Sequence, residues 1–106
     1  MTSARAILAA LTVAWIGAAS AGEHCTATDG ITLQCRRDSV RVEGLRAPGL
    51  REPGGPEARQ RLQRRIQGGE LVIERGGPDR FGRTLGRAYV NGIRITQLEL
   101  SPNTRR

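Results

Sequence analysis

The sequence predicts a small, mainly β domain with one helix, of the α+β class. Two features predict it: short apolar segments of strand character separated by turn residues, and a single helical stripe closed by Gly68-Gly69. A third sets the size. The chain has 106 residues, 38% of them hydrophobic, and the longest apolar run lies near the N-terminus, so the remainder supports only a small core. One domain fits; a membrane protein, a two-domain enzyme and a dinucleotide-binding α/β fold do not.

In chain order, Met1 to Ala21 carries one charge, Arg5, then an apolar run from Ala6 to Ala19, and ends in Ala19-Ser20-Ala21, the small-x-small pattern of signal peptidase sites. This predicts a signal peptide over 1–21, a mature start at Gly22, and a secreted or periplasmic protein. As a helix the run spans only about 21 Å, short of the roughly 30 Å hydrocarbon core, so no membrane association is expected once the leader is cleaved. Glu23 and His24 stand before Cys25 where a lipid anchor needs small apolar residues.

The mature part, 22–106, is expected to fold as one domain with its barrel over about 24–95 and a basic tail over 101–106. All seventeen basic residues are arginine, against ten acids, for a net charge of +7. That balance is compatible with an anionic partner and equally with genome composition, so charge alone assigns none.

In an oxidising compartment the two cysteines, Cys25 and Cys35, predict a disulfide. Asp29-Gly30 between them is a strong two-residue hairpin signal, with positive φ expected at both positions, which places the cysteines near facing positions. Zinc is the competing reading, but with His24 the site has three ligands at an unfamiliar spacing.

Thr26 to Thr28 and Ile31 to Leu33 form the strands of this hairpin. After a turn at Arg37-Asp38, Val40 to Glu43 alternates strictly, with Val40 and Val42 on one face and Arg41 and Glu43 on the other. Leu45 to Gly55 holds Pro48, Pro53 and three glycines, an irregular loop. A helix is expected over 56–67, with Pro56 at its start and Ala58, Leu62 and Ile66 as its buried stripe. Arg59, Arg61, Arg64 and Arg65 then occupy its solvated surface. Leu71 to Ile73 predicts a buried strand, Gly76 to Asp79 a turn, and Leu85 to Val90 a strand that turns at Asn91-Gly92 so that Ile93 and Ile95 pair back. Three strands, a helix and two or three further strands match a five-stranded Greek-key barrel of the OB type.

Several of these segments also carry a family pattern. Thr28-Asp29-Gly30-Ile31-Thr32-Leu33, Val40 to Pro48, Glu57-Ala58 ahead of Leu62, Asp79-Arg80-Phe81-Gly82-Arg83 and Ala88-Tyr89-Val90-Asn91-Gly92 together resemble the staphylococcal-nuclease-like (thermonuclease) domains, from about His24 to Ile95. The resemblance implies an OB barrel and calcium-dependent hydrolysis of phosphodiester bonds in DNA and RNA. It also implies two catalytic arginines, Arg41 and Arg83, whose planar forks grip phosphoryl oxygens.

The acidic half of the family site is replaced. The second aspartate of the Asp-Gly-Asp-Thr pattern is Ile31, leaving Asp29 as a remnant of the metal site. Where the family has Asp-Ala/Thr-Pro-Glu, this chain reads Arg46-Ala47-Pro48-Gly49. Loss of a general base costs roughly 100-fold to 10,000-fold in rate, and Arg46 places a positive charge where calcium would sit. The family's C-terminal helix is also cut short by Ser101-Pro102, a C-terminal truncation.

The sequence therefore predicts no cofactor, and an arginine patch of Arg41, Arg46 and Arg83 that binds phosphate or a nucleic-acid backbone without regard to sequence, in a monomer. Two alternatives stay open: a residual phosphodiesterase in which Glu43 or Glu52 serves as base, and a structural or interaction module. Only Phe81 and Tyr89 remain as aromatics after the leader, so base stacking is scarce, and core or turn packing is the expected role of Phe81.

Overall fold

The computed structural model describes residues 22–97; the expected signal peptide and the basic tail lie outside them. The fold is α+β, a sheet of six strands with one helix. In order these are β1 (Thr26–Ala27), β2 (Thr32–Gln34), β3 (Ser39–Val42), α1 (Gly55–Ile66), β4 (Leu71–Pro78), β5 (Thr84–Val90) and β6 (Ile93–Arg94). Neighbours follow the path β1-β2-β3-β5-β4, with β6 on β5. The β3/β5 pair is parallel and the other pairs are antiparallel.

Alternation sets the core. Leu33, Val40, Val42, Leu71, Ile73, Ala88 and Val90 point inward, where Leu62 and Ile66 of α1 cover them. The expected helical stripe is the buried one, joined by Gly55 at the helix start. The helix is anchored to the sheet by Gln63, whose Oε1 accepts the Ala27 N–H at 2.7 Å. At the other end of the sheet path, the Glu23 N–H donates to the Leu71 carbonyl at 2.8 Å, so the segment before β1 reaches β4.

Three details depart from the sequence expectations. The first is at Asp29-Gly30, where neither residue has positive φ. The loop is wider, closed by the Thr28 N–H on the Thr32 carbonyl at 2.9 Å, and Asp29 Oδ1 accepts the Ile31 N–H at 2.9 Å. Gly30 is required for close approach instead: a Cβ there would lie 2.5 Å from Ala47 Cβ and 2.8 Å from Ala58 Cβ. The two-residue turn does occur at Asn91-Gly92, with φ of 52° and 82°. The second is β4, which runs on through Gly76, Gly77 and Pro78 by way of an irregularity between Arg75 and Pro78. The third is Val72, which faces outward, because β4 alternates instead of being buried on both sides.

Cys25 and Cys35 form a disulfide, with their Cα atoms 4.2 Å apart. The register explains it: Thr26 faces Gln34, so the cysteines are the next facing pair outward. No helix among the described residues is long and apolar enough to cross a membrane.

Candidate functional site

Register brings the site together. Thr32 on β2 faces Arg41 on β3, and Arg41 faces Leu85 on β5. Since Val40 and Val42 are fully buried, Arg41 between them is turned to the opposite face. Its Nη1 donates to the Val42 carbonyl at 2.6 Å. Arg83 lies just ahead of β5 and its Nη1 donates to Thr32 Oγ1 at 3.1 Å. Arg41 and Arg83 thus line one open cleft of about 370 Å³ with Glu43, Asp79, Arg80 and Phe81.

The turn that presents Arg83 is built by Asp79. Its Oδ1 accepts the Phe81 and Arg83 backbone N–H groups at 2.8 Å each, and its Oδ2 accepts Arg83 Nε at 2.7 Å. Gly82, at φ 83°, lets the chain reverse. Loss of water around Asp79 acts to raise its pKa, but the backbone donors of Arg83 and Phe81 and the Arg83 side chain outweigh this and hold it below the usual carboxylate range. Phe81 is 73% exposed, so it lies outside the core, and its ring contacts are with its own turn, the Arg83 and Arg80 guanidinium carbons lying 5.4 Å and 5.8 Å from its centre.

The other positions singled out by sequence fall elsewhere. Arg46 is exposed, its backbone N–H donates to Gln97 Oε1 at 2.7 Å, and it is not among the cleft-lining residues. Ile31 packs against the core. The Asp29 carboxylate is engaged by its own turn. Glu52 Oε1 accepts the Gly49 N–H at 2.9 Å and so closes its own loop, away from the cleft lining. Glu43 does line the cleft, and its ion-pair partner is Arg87, at 3.8 Å, which also lies 3.7 Å from Glu74.

Sequence reasoning gave no sign of a second arginine centre. Arg75 on β4 sits between Glu23 and Asp38, donating to both oxygens of each at 2.8 to 3.1 Å. Its hydrogen bonds hold both carboxyls below their ordinary pKa values against the opposing effect of desolvation, and the two carboxylates raise that of Arg75. No local signal links the three, since Arg75 is 52 positions from Glu23 and 37 from Asp38. Among the described residues one group of metal-ligating side chains comes together, Glu23 with Cys25 and Cys35, and there the two sulfurs are bonded to each other.

A larger concavity of about 810 Å³ lies between Gly22–Thr26 and the end of α1. Its acidic lining residues are Glu23 and Glu70, and no arginine lines it, so it has the wrong charge for an anion. The smaller cleft has the chemistry. No family model and no curated protein matches the chain.

Proposed function

We propose that this chain is an exported, non-cleaving member of the staphylococcal-nuclease-like lineage, an OB-type Greek-key barrel that holds a nucleic-acid backbone phosphate between Arg41 and Arg83. The observation that carries the reading is the meeting of these two arginines in one open cleft on the outer face of the sheet. Among the described residues each keeps guanidinium donors open for oxygens of a ligand: Arg41 uses Nη1 alone, and Arg83 uses Nε and Nη1. The sheet path, the parallel β3/β5 pair, the helix between β3 and β4, and the Glu23 to Leu71 bond joining the two ends of the path support the barrel. The disulfide is compatible with export.

Binding without hydrolysis follows from the carboxylates. Cleavage needs a base and a charge-neutralising cation beside the phosphate. Of the two carboxylates lining the cleft, Asp79 is taken up by its turn, and Glu43 stands 3.8 Å from Arg87 in a half-exposed ion pair. Arg46 does not line this cleft, so the reading rests on Arg41 and Arg83, with Arg80 adding charge nearby. Phosphate contact reads no sequence, so binding is sequence-blind and falls with salt.

Fluorescence anisotropy with a labelled single-stranded oligonucleotide, at low and physiological ionic strength, tests this. The expected result is weak, salt-sensitive binding lost in Arg41→Ala and Arg83→Ala; absence of binding at low salt rejects the reading and leaves a structural module. A second reading, residual phosphodiester hydrolysis, is favoured by Glu43 sharing the cleft with both arginines. Calcium-stimulated cleavage, removed by chelator and by Arg83→Ala, would replace the first reading with the second.

A further inference from the structure

Just outside the cleft a further guanidinium stands without a hydrogen-bond or ion-pair partner among the described residues. Gly44 lines the cleft rim and adopts φ 89°. A Cβ placed on Gly44 would lie 3.8 Å from Nη2 of Arg94, so the Arg94 side chain reaches across the bare backbone from β6. Arg94 faces Tyr89 in the β5/β6 register and is exposed. Arg87 on β5 has Glu43 and Glu74 at 3.8 Å and 3.7 Å, whereas Arg94 takes part in no hydrogen bond or ion pair among the described residues.

We propose that Arg94 forms a second phosphate subsite at the rim, so that the ligand is a chain of phosphodiesters and not a single nucleotide. The proposal rests on the Arg41/Arg83 reading and extends it. Glu43, which precedes Gly44 and lines the cleft, has Arg87 as its ion-pair partner at 3.8 Å and makes no ion pair with Arg94 among the described residues. Neither Arg94 nor Arg46 is a cleft-lining residue, and of the two it is Arg94 whose guanidinium lies beside Gly44.

An anisotropy titration with a labelled oligothymidylate, set beside competition by thymidine monophosphate, tests the subsite. Arg94→Gln is expected to weaken oligonucleotide binding about ten-fold at low salt and to lower the slope of log affinity against log salt by about 0.7, the share of one single-strand phosphate. Arg94→Lys should keep the slope, Arg46→Gln should change neither quantity, and the monophosphate should compete equally against the wild type and Arg94→Gln. An unchanged thermal transition shows that the variants are folded. If the wild type binds and Arg94→Gln binds with the same affinity and slope, the subsite is wrong while the Arg41/Arg83 reading stands. If the wild type itself binds no oligonucleotide at low salt, both fall.

Discussion

Two arginine centres in this small molecule differ in how far their donors are used. Arg75 spends both faces of its guanidinium on Glu23 and Asp38, beside the Cys25–Cys35 disulfide, and ties the N-terminal segment, the turn before β3 and β4 into one unit. Arg41 and Arg83 face an open cleft with donors to spare. The contrast shows one residue type with its donors filled by carboxylates in one place and with donors left open in another. A saturated guanidinium is a cross-link; an unsaturated one on a concave surface is what the proposed phosphate site rests on.

The comparison breaks first at the cross-linked end. Reduction of the disulfide, or the Cys25→Ala/Cys35→Ala pair, is expected to cost about 2 to 3 kcal/mol of stability from the short loop it closes, measured by urea unfolding. Oligonucleotide affinity under native conditions should stay unchanged, because the cleft contains neither cysteine. Equal loss of both would merge the two regions into one.

Arg75→Met comes next, at about 2 kcal/mol. That is below the roughly 3 to 5 kcal/mol of a fully buried pair, because the three side chains keep a fifth to a third of their surface in water. The same variant sharpens the pH behaviour. Glu23 and Asp38 have lowered pKa values in the fold, so their stabilisation is fully present above about pH 5 and is lost as pH falls through those lowered values. Thermal melts from neutral to acidic pH should show this decline in the wild type and a shallower one in Arg75→Met.

Gly30→Ala tests the close approach found in the loop between β1 and β2. The added Cβ must displace Ala47 or Ala58, both facing side chains being short, at about 1 to 3 kcal/mol. Asp79→Asn has the smallest effect, on binding: the amide oxygen can keep accepting the two turn N–H groups while the negative charge beside Arg83 is removed. A gain of about three-fold in oligonucleotide affinity is expected by titration, and a loss would mean that the Asp79 charge, not only its geometry, holds Arg83 in place.

Local pattern made much of this fold legible in the sequence. The strict alternation about Val40, the stripe of Ala58, Leu62 and Ile66, and the Asn91-Gly92 turn are written within a few residues of each other, and each appears as expected. The facing cysteines followed from the hairpin even though its turn did not. Asp-Gly there serves tight packing and a side-chain-closed loop, because Ala47 and Ala58 come from distant parts of the chain and no local signal announces them. β4 was cut short in the sequence reading because Gly76, Gly77 and Pro78 are turn formers, and pairing with β5 across the irregularity between Arg75 and Pro78 overrode their propensity. In the cleft, the motif residues pointed to Arg41 and Arg83, which share it, and to Arg46, which does not line it. The Arg75 cross-link and the rim position of Arg94 were invisible, since both depend on strand register between remote segments. Phe81 escaped because a single aromatic carries no periodicity; the surrounding glycine and arginines left it exposed.

The measurement that tests the central claim most directly is a titration of isotope-labelled protein with an oligonucleotide, followed through the arginine side-chain Nε–Hε resonances. The account predicts salt-sensitive shifts for Arg41 and Arg83 while the Arg75 resonance stays in place. Shifts spread evenly over all arginines, or none at Arg41 and Arg83, would contradict it.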